Sequence, residues 1–205
     1  MPDTEQVDAI NIDALQQQDE QSFKALVKMY HQRLLMLANS IVGESVGEEV
    51  VQDAWIAIYQ NLPTFEQRSS LKTWLYRITS NKAISRLRKE KKSVNFSQLE
   101  TQADDPEVDV FDQTGHWQKP TGHWQLDQPD QLLFSQELQQ CMQTVLQALP
   151  QLQQAIFLLT DMEGEKSEDV CNNLDISASN MRVLLHRARF KLYQHINNFQ
   201  ETGEC

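Results

Sequence analysis

The run that decides the fold is Ser167-Glu168-Asp169-Val170-Cys171-Asn172-Asn173-Leu174-Asp175-Ile176-Ser177-Ala178-Ser179-Asn180-Met181-Arg182-Val183-Leu184-Leu185-His186-Arg187-Ala188-Arg189-Phe190-Lys191-Leu192. The spacing predicts a short helix over 166–174, a tight turn, and a longer helix over 178–198 capped by Ser177. That order matches a helix-turn-helix. Met181, Leu185, Ala188 and Leu192 form the expected inward stripe. Ser179, Asn180, Arg182, Val183, His186 and Arg187 are left outward near the start of the second helix, the part that enters a major groove. Arg182 or Arg187 suits guanine or phosphate, Asn180 suits adenine, and Val183 suits a thymine methyl. A plain helical hairpin is the competing reading.

The charge pattern extends this reading outward. The chain has 205 residues and a net charge of −11, which alone disfavours nucleic acid. The charge is unevenly placed, however. From Arg68 to Lys92 nine basic residues face only Glu90, a local +8. Arg182, Arg187, Arg189 and Lys191 make a second basic cluster, and from 93 to 134 eight acids stand against one lysine. Two basic islands on predicted helices point to DNA, against the blander reading of solvated faces. The acidic segment could screen these islands in the free chain.

Apolar spacing predicts further helices over 21–42, 46–61, 69–91, 131–149 and 151–162, with no convincing strand. Gly43 ends the first, Pro63 follows the second, and Ser69 or Ser70 caps the third. Periodicity disappears from Ser93 to about Pro129, where Thr114-Gly115-His116-Trp117-Gln118 recurs as Thr121-Gly122-His123-Trp124-Gln125. The expected fold class is therefore all-α: two small helical domains joined by a flexible acidic linker. The domains span 21–92 and 131–198, the linker 93–130, with an acidic tail over 1–20 and a C-terminal tail over 199–205.

Within 69–92, Leu71, Trp74, Leu75 and Ile78 fall on one helical sector, and Ala83, Ile84 and Leu87 nearly opposite. The apolar stripe is expected to change sides near Thr79–Lys82, turning Lys82, Arg86 and Lys89 outward along a phosphate backbone. Asn81 and the loop Thr64–Arg68 could receive an unstacked base, although from these residues alone a surface Asn and an ordinary loop are the favoured reading.

Several classes are disfavoured. No run approaches the roughly 20 apolar residues of a membrane span, and the polar N-terminus lacks a secretory signal, so a cytoplasmic protein is expected. Cys141, Cys171 and Cys205 make an odd set without CxxC, which argues against a disulfide scaffold or zinc ribbon. Cys171 is expected to behave as a small apolar residue. No nucleotide-binding or hydrolytic signature occurs. A self-sufficient repressor or activator, and a redox or metal sensor using Cys141, Cys171, His116 and His123, remain as rivals.

Three groups of residues carry a resemblance. Glu48-Glu49-Val50-Val51-Gln52-Asp53-Ala54-Trp55 resembles the acidic-Val-x-Gln-acidic-x-aromatic motif of bacterial sigma factors. Phe65 through Arg88, with Leu71–Ile78 and Asn81, resembles the promoter-opening helix of the extracytoplasmic-function (ECF) group of the sigma-70 family. Leu149-Pro150, Asp161–Gly164 and Leu185–Arg189 resemble that group's fourth domain. The resemblance covers 21–92 and 131–195, and implies a non-catalytic specificity subunit with no cofactor and no metal.

It also implies roles. Glu49, Gln52 and Asp53 would dock core RNA polymerase. Phe65, Arg68, Lys72, Asn81, Lys82, Arg86 and Arg88 would bind the minus-ten element of promoter DNA. Ser179, Asn180, Arg182, Val183, His186 and Arg187 would bind the minus-35 element. The linker repeat and the Ser179–Arg189 run resemble a subgroup often paired with a small zinc-binding anti-sigma protein. Ser85 stands where the family commonly has Asp, Leu184 where many members have Arg, and Asp175 where the turn commonly has Gly.

Overall fold

The computed structural model describes residues 11–90 and 136–205. The linker over 93–130 with its Gly-His-Trp repeat, and Lys91 and Lys92 of the basic island, lie outside the described residues. The described part is helical, and it contains no strand. The chain divides into two compact units, residues 1–94 and 95–205.

In the first unit α1 is Ile12–Gln16, α2 Glu20–Val42, α3 Glu44–Asn61 and α4 Leu71–Glu90, with a 3-10 turn at Leu62–Thr64. Asp19 caps α2 by accepting from the Ser22 N–H at 2.8 Å, and the Ser70 hydroxyl accepts from the Thr73 N–H at 3.0 Å, so Ser70 rather than Ser69 caps α4. Leu26, Tyr30, Leu34, Leu37 and Ile41 of α2 are fully buried against α3 and α4, which supply Val51, Ala54, Ile58, Leu75 and Tyr76. Each such side chain contributes about 1.5–3 kcal/mol by leaving water. The crossing of α2 and α3 is close: a Cβ on Gly47 would collide with the Asn39 side chain.

Two sequence expectations change here. The stretch 1–20 was expected as a tail, but α1 lies within it, capped by Asn11, and Leu15 is fully buried. One short helix has too few residues to show a period, which hid it. The apolar stripe of α4 does not change sides. Tyr76, Thr79 and Ser80 are fully buried and join Leu75 to Ala83, Ile84 and Leu87 in one continuous face. Thr79 can be buried because its hydroxyl donates to the Leu75 carbonyl at 3.0 Å.

In the second unit α5 is Gln136–Ala148, α6 Gln151–Phe157, α7 Ser167–Leu174 and α8 Ala178–Thr202. After α6 the backbone widens into a π turn at Leu158–Met162, where the Glu163 N–H donates to the Leu158 carbonyl. Ser177 caps α8 as expected, accepting from the Asn180 N–H at 3.2 Å. Met181, Leu184, Ala188 and Leu192 are the buried stripe of α8; Leu184, not Leu185, carries it. The Arg189 guanidinium donates twice to the Asp161 carboxylate, at 2.8 and 2.6 Å, clamping α8 to the π turn.

Cysteine usage also departs from expectation. Cys141 of α5 and Cys205 form a disulfide with Cα atoms 5.4 Å apart, and α8 extends into the expected C-terminal tail. An odd cysteine count excludes a fully paired set, not a single bond.

Candidate nucleic-acid interface

At the N-terminal end of α4 the loop 65–70 folds over the helix to leave a cleft of about 410 Å³. Asn61, Phe65, Arg68, Trp74, Arg77 and Ile78 are among its walls. The Phe65 and Trp74 rings lie 4.8 Å apart at 39°, and Arg68 and Arg77 are exposed. Aromatic rings beside two guanidinium groups, of which Arg68 is paired with the Glu66 carboxylate that also lines the cleft, suit an unstacked base with its phosphate. The loop is held from a distance: Gln16 Nε2 of α1 donates to the Phe65 carbonyl at 2.7 Å. Gln67 in this loop takes left-handed backbone, φ 56°.

Of the expected minus-ten residues, Phe65 and Arg68 line the cleft, while Asn81 does not; it lies exposed one turn beyond Arg77. Lys82 and Arg88 are exposed farther along α4, and Lys72 is partly buried, away from the cleft walls. Arg86 Nη1 donates to Glu49 Oε1 of α3 at 2.7 Å, so one expected phosphate-binding residue is joined to one expected polymerase-docking residue.

Glu49, Gln52 and Asp53 are exposed on α3 at the spacing of one face. Ile56 continues that face at 58% exposure and Tyr59 lies beside it at 39%. Neither stands out in the sequence, because an exposed apolar side chain runs against core periodicity. Tyr59 is steadied by the edge of Phe23, 4.9 Å between centroids.

On α8, Ser179, Arg182 and Val183 are exposed, with Val183 at 49%, while Asn180, His186 and Arg187 are partly buried. All six sit in the first three turns. Arg182 Nε donates to the Ala178 carbonyl at 3.2 Å, folding the side chain along its own helix. Burial, then the Arg187 and Arg189 charges, hold the His186 imidazole below its ordinary value, so it is neutral near pH 7. Burial pushes the Cys171 thiol up, with Arg182 opposing, which keeps it an unreactive thiol. Asp175 closes the turn in left-handed backbone, φ 56° and ψ 48°, where glycine is favoured.

A helical bundle bearing a cationic helix and an aromatic cleft, followed by a helix-turn-helix, has the features of a nucleic-acid-binding protein. Residues 26–93 match the family described as Sigma-70 region 2, and 139–192 that described as Sigma-70, region 4. A "Probable RNA polymerase sigma factor" of Haemophilus influenzae is 31% identical over 147 residues, 72% of this chain and 75% of that protein. The "ECF RNA polymerase sigma-E factor" of Escherichia coli K12 is 26% identical over 182 residues, 89% and 90% of the two chains. The chain belongs to the ECF group of the sigma-70 family of RNA polymerase sigma factors. Its fold is also that of the sigma factor RpoE of Bartonella quintana, solved with the anti-sigma factor NepR: TM-score 0.52, 22% identity, covering 85% of this chain and 96% of that one. Like the rest of its family it is a non-enzymatic initiation factor. No described helix is long and apolar enough to cross a membrane.

Proposed function

We propose that this sigma factor docks core RNA polymerase through Glu49, Gln52 and Asp53, with Ile56 and Tyr59 adding apolar area to the same side. The Phe65–Trp74 cleft takes one flipped base of the minus-ten element, Arg68 and Arg77 contact that nucleotide, Asn81, one turn beyond Arg77, contacts the strand next to it, and Lys72, Lys82, Arg86 and Arg88 hold neighbouring phosphates. Ser179, Asn180, Arg182, Val183, His186 and Arg187 read the minus-35 element. The protein works in the cytoplasm and is held by a small anti-sigma protein, zinc-binding in the subgroup it resembles; the complex of the Bartonella protein with NepR supports such a partner.

The cleft carries this reading. Melting gives up base stacking of about 1–2 kcal/mol per step. It recovers about 1–3 kcal/mol for each base stacked on protein. The exchange is nearly even, so a single cleft contact decides whether the strand stays open. The test is binding of a single-stranded minus-ten oligonucleotide by holoenzyme carrying Arg68→Ala or Arg77→Ala. Both guanidinium groups are exposed, so the fold should survive. A several-fold loss of affinity with unchanged polymerase binding is expected; unchanged oligonucleotide affinity contradicts the assignment.

A further inference from the structure

The far end of α8 is folded back by a hook. Gly203 takes left-handed backbone, φ 74°, and its N–H donates to the Phe199 carbonyl at 2.8 Å. Asn198 Nδ2 donates to the Glu204 carbonyl at 2.9 Å. The Glu204 N–H donates to the Thr202 hydroxyl at 3.0 Å, which in turn donates to the Asn198 carbonyl at 2.8 Å. These four bonds bring Cys205 against α5, where it is joined to Cys141. The two sulfurs have different surroundings. Cys141 is 4% exposed, in a cluster with Val145 and Leu192 against which Leu146, Phe157 and Phe199 pack. Cys205 is exposed.

We propose that Cys141–Cys205 is a reversible thiol–disulfide site through which redox state sets how firmly α8 is held to α5. The bond spans 64 residues and encloses the whole helix-turn-helix, so closing it removes unfolded conformations of this unit. In a reducing compartment such a bond is regulatory rather than permanent; the proposal rests on the cytoplasmic placement for its biological role, not for its chemistry. Burial directs the exchange. The thiolate of a dithiol reductant attacks the sulfur of Cys205, the exposed residue of the pair, forms a mixed disulfide there, and displaces Cys141 as a thiolate that takes up a proton. The reductant's second thiolate then attacks its own sulfur in the mixed disulfide and displaces Cys205, which is protonated in turn. The dithiol leaves as its disulfide, having supplied two electrons; a low-molecular-weight disulfide reverses the sequence. Arg182 lies 20 residues from Thr202, about 30 Å along the helix, so the site acts through stability of the unit and not by touching DNA.

The test equilibrates the full chain in glutathione buffers of graded redox poise, quenches with acid, alkylates with iodoacetamide in denaturant so that buried thiols react, and weighs the products. Oxidised protein should carry one label, on Cys171, and reduced protein three, with Cys141 and Cys205 changing together. The oxidised form should melt at least about 5 °C higher. Cys205→Ser should melt like the reduced form in either buffer, while Cys171→Ser should follow the natural chain. Should Cys205→Ser not fold, the oxidised and reduced natural chain make the same comparison. Independent labelling of Cys141 and Cys205 under oxidising poise, or equal melting of the two forms, overturns the proposal. Neither readout depends on polymerase or promoter, so this failure is distinct from failure of the DNA-binding assignments.

Discussion

Asn81 and Arg86 sit on α4 within five residues of each other, yet the fold treats them differently. Asn81 is exposed beyond the cleft, whereas Arg86 is bonded to Glu49. Asn81→Ala should therefore impair open-complex formation more than polymerase binding, read by permanganate footprinting beside a polymerase affinity; an equal open-complex yield sinks this role. An exposed ion pair contributes only about 0–1 kcal/mol, so Glu49→Gln should barely change stability while weakening attachment to polymerase. His186 gives a pH dependence. Its folded-state value lies below the unfolded one, so the unfolded chain binds more protons. The associated stability is fully present above the ordinary histidine value and is lost as pH falls from there through the lowered folded-state value. Melting of the second unit should fall on acidification, and less so in His186→Gln; identical pH profiles would remove this assignment. Most of these residues were visible in the sequence because charge and polarity are local. The Glu49–Arg86 bond was not, since 37 residues separate the partners.

At the scale of elements, caps and periods carried the reading furthest. Ser70 and Ser177 each bond the N–H three residues on, and each begins a long helix. Periodicity failed where polar side chains were buried. Thr79 and Ser80 belong to the core of α4, but a binary pattern assigns them to water. Tertiary packing overrode that pattern because the helix is covered by both α2 and α3. The α2–α3 crossing yields a direct prediction. Gly47→Ala should destabilise the first unit by about 1–3 kcal/mol, since Asn39 must move to admit a methyl group. Denaturant melts would show it, and an unchanged midpoint would mean that Asn39 yields freely. In the second unit, Asp175→Ala should be less stable than Asp175→Gly by about 1–2 kcal/mol, the cost of a Cβ in left-handed backbone.

For the whole molecule, division into two helical units was legible because the apolar period stops at Ser93 and resumes after Pro129. The contribution of α1 was not legible. A five-residue helix gains its place from burying Leu15 and from the Gln16 bond to the cleft loop, both long-range events. The disulfide was hidden for the same reason: sequence alone does not say which two of three cysteines meet. With a net charge of −11, the free protein is expected to bind DNA poorly by long-range electrostatics, and the proposed cationic surfaces would gain use beside a larger partner. Run-off transcription tests that claim most directly, using the purified chain, core RNA polymerase and a genomic promoter library. The account predicts initiation at a new set of sites sharing two spaced elements, and none from chain or core alone. A chain that does not bind core, or binds it and leaves the start sites unaltered, contradicts the account.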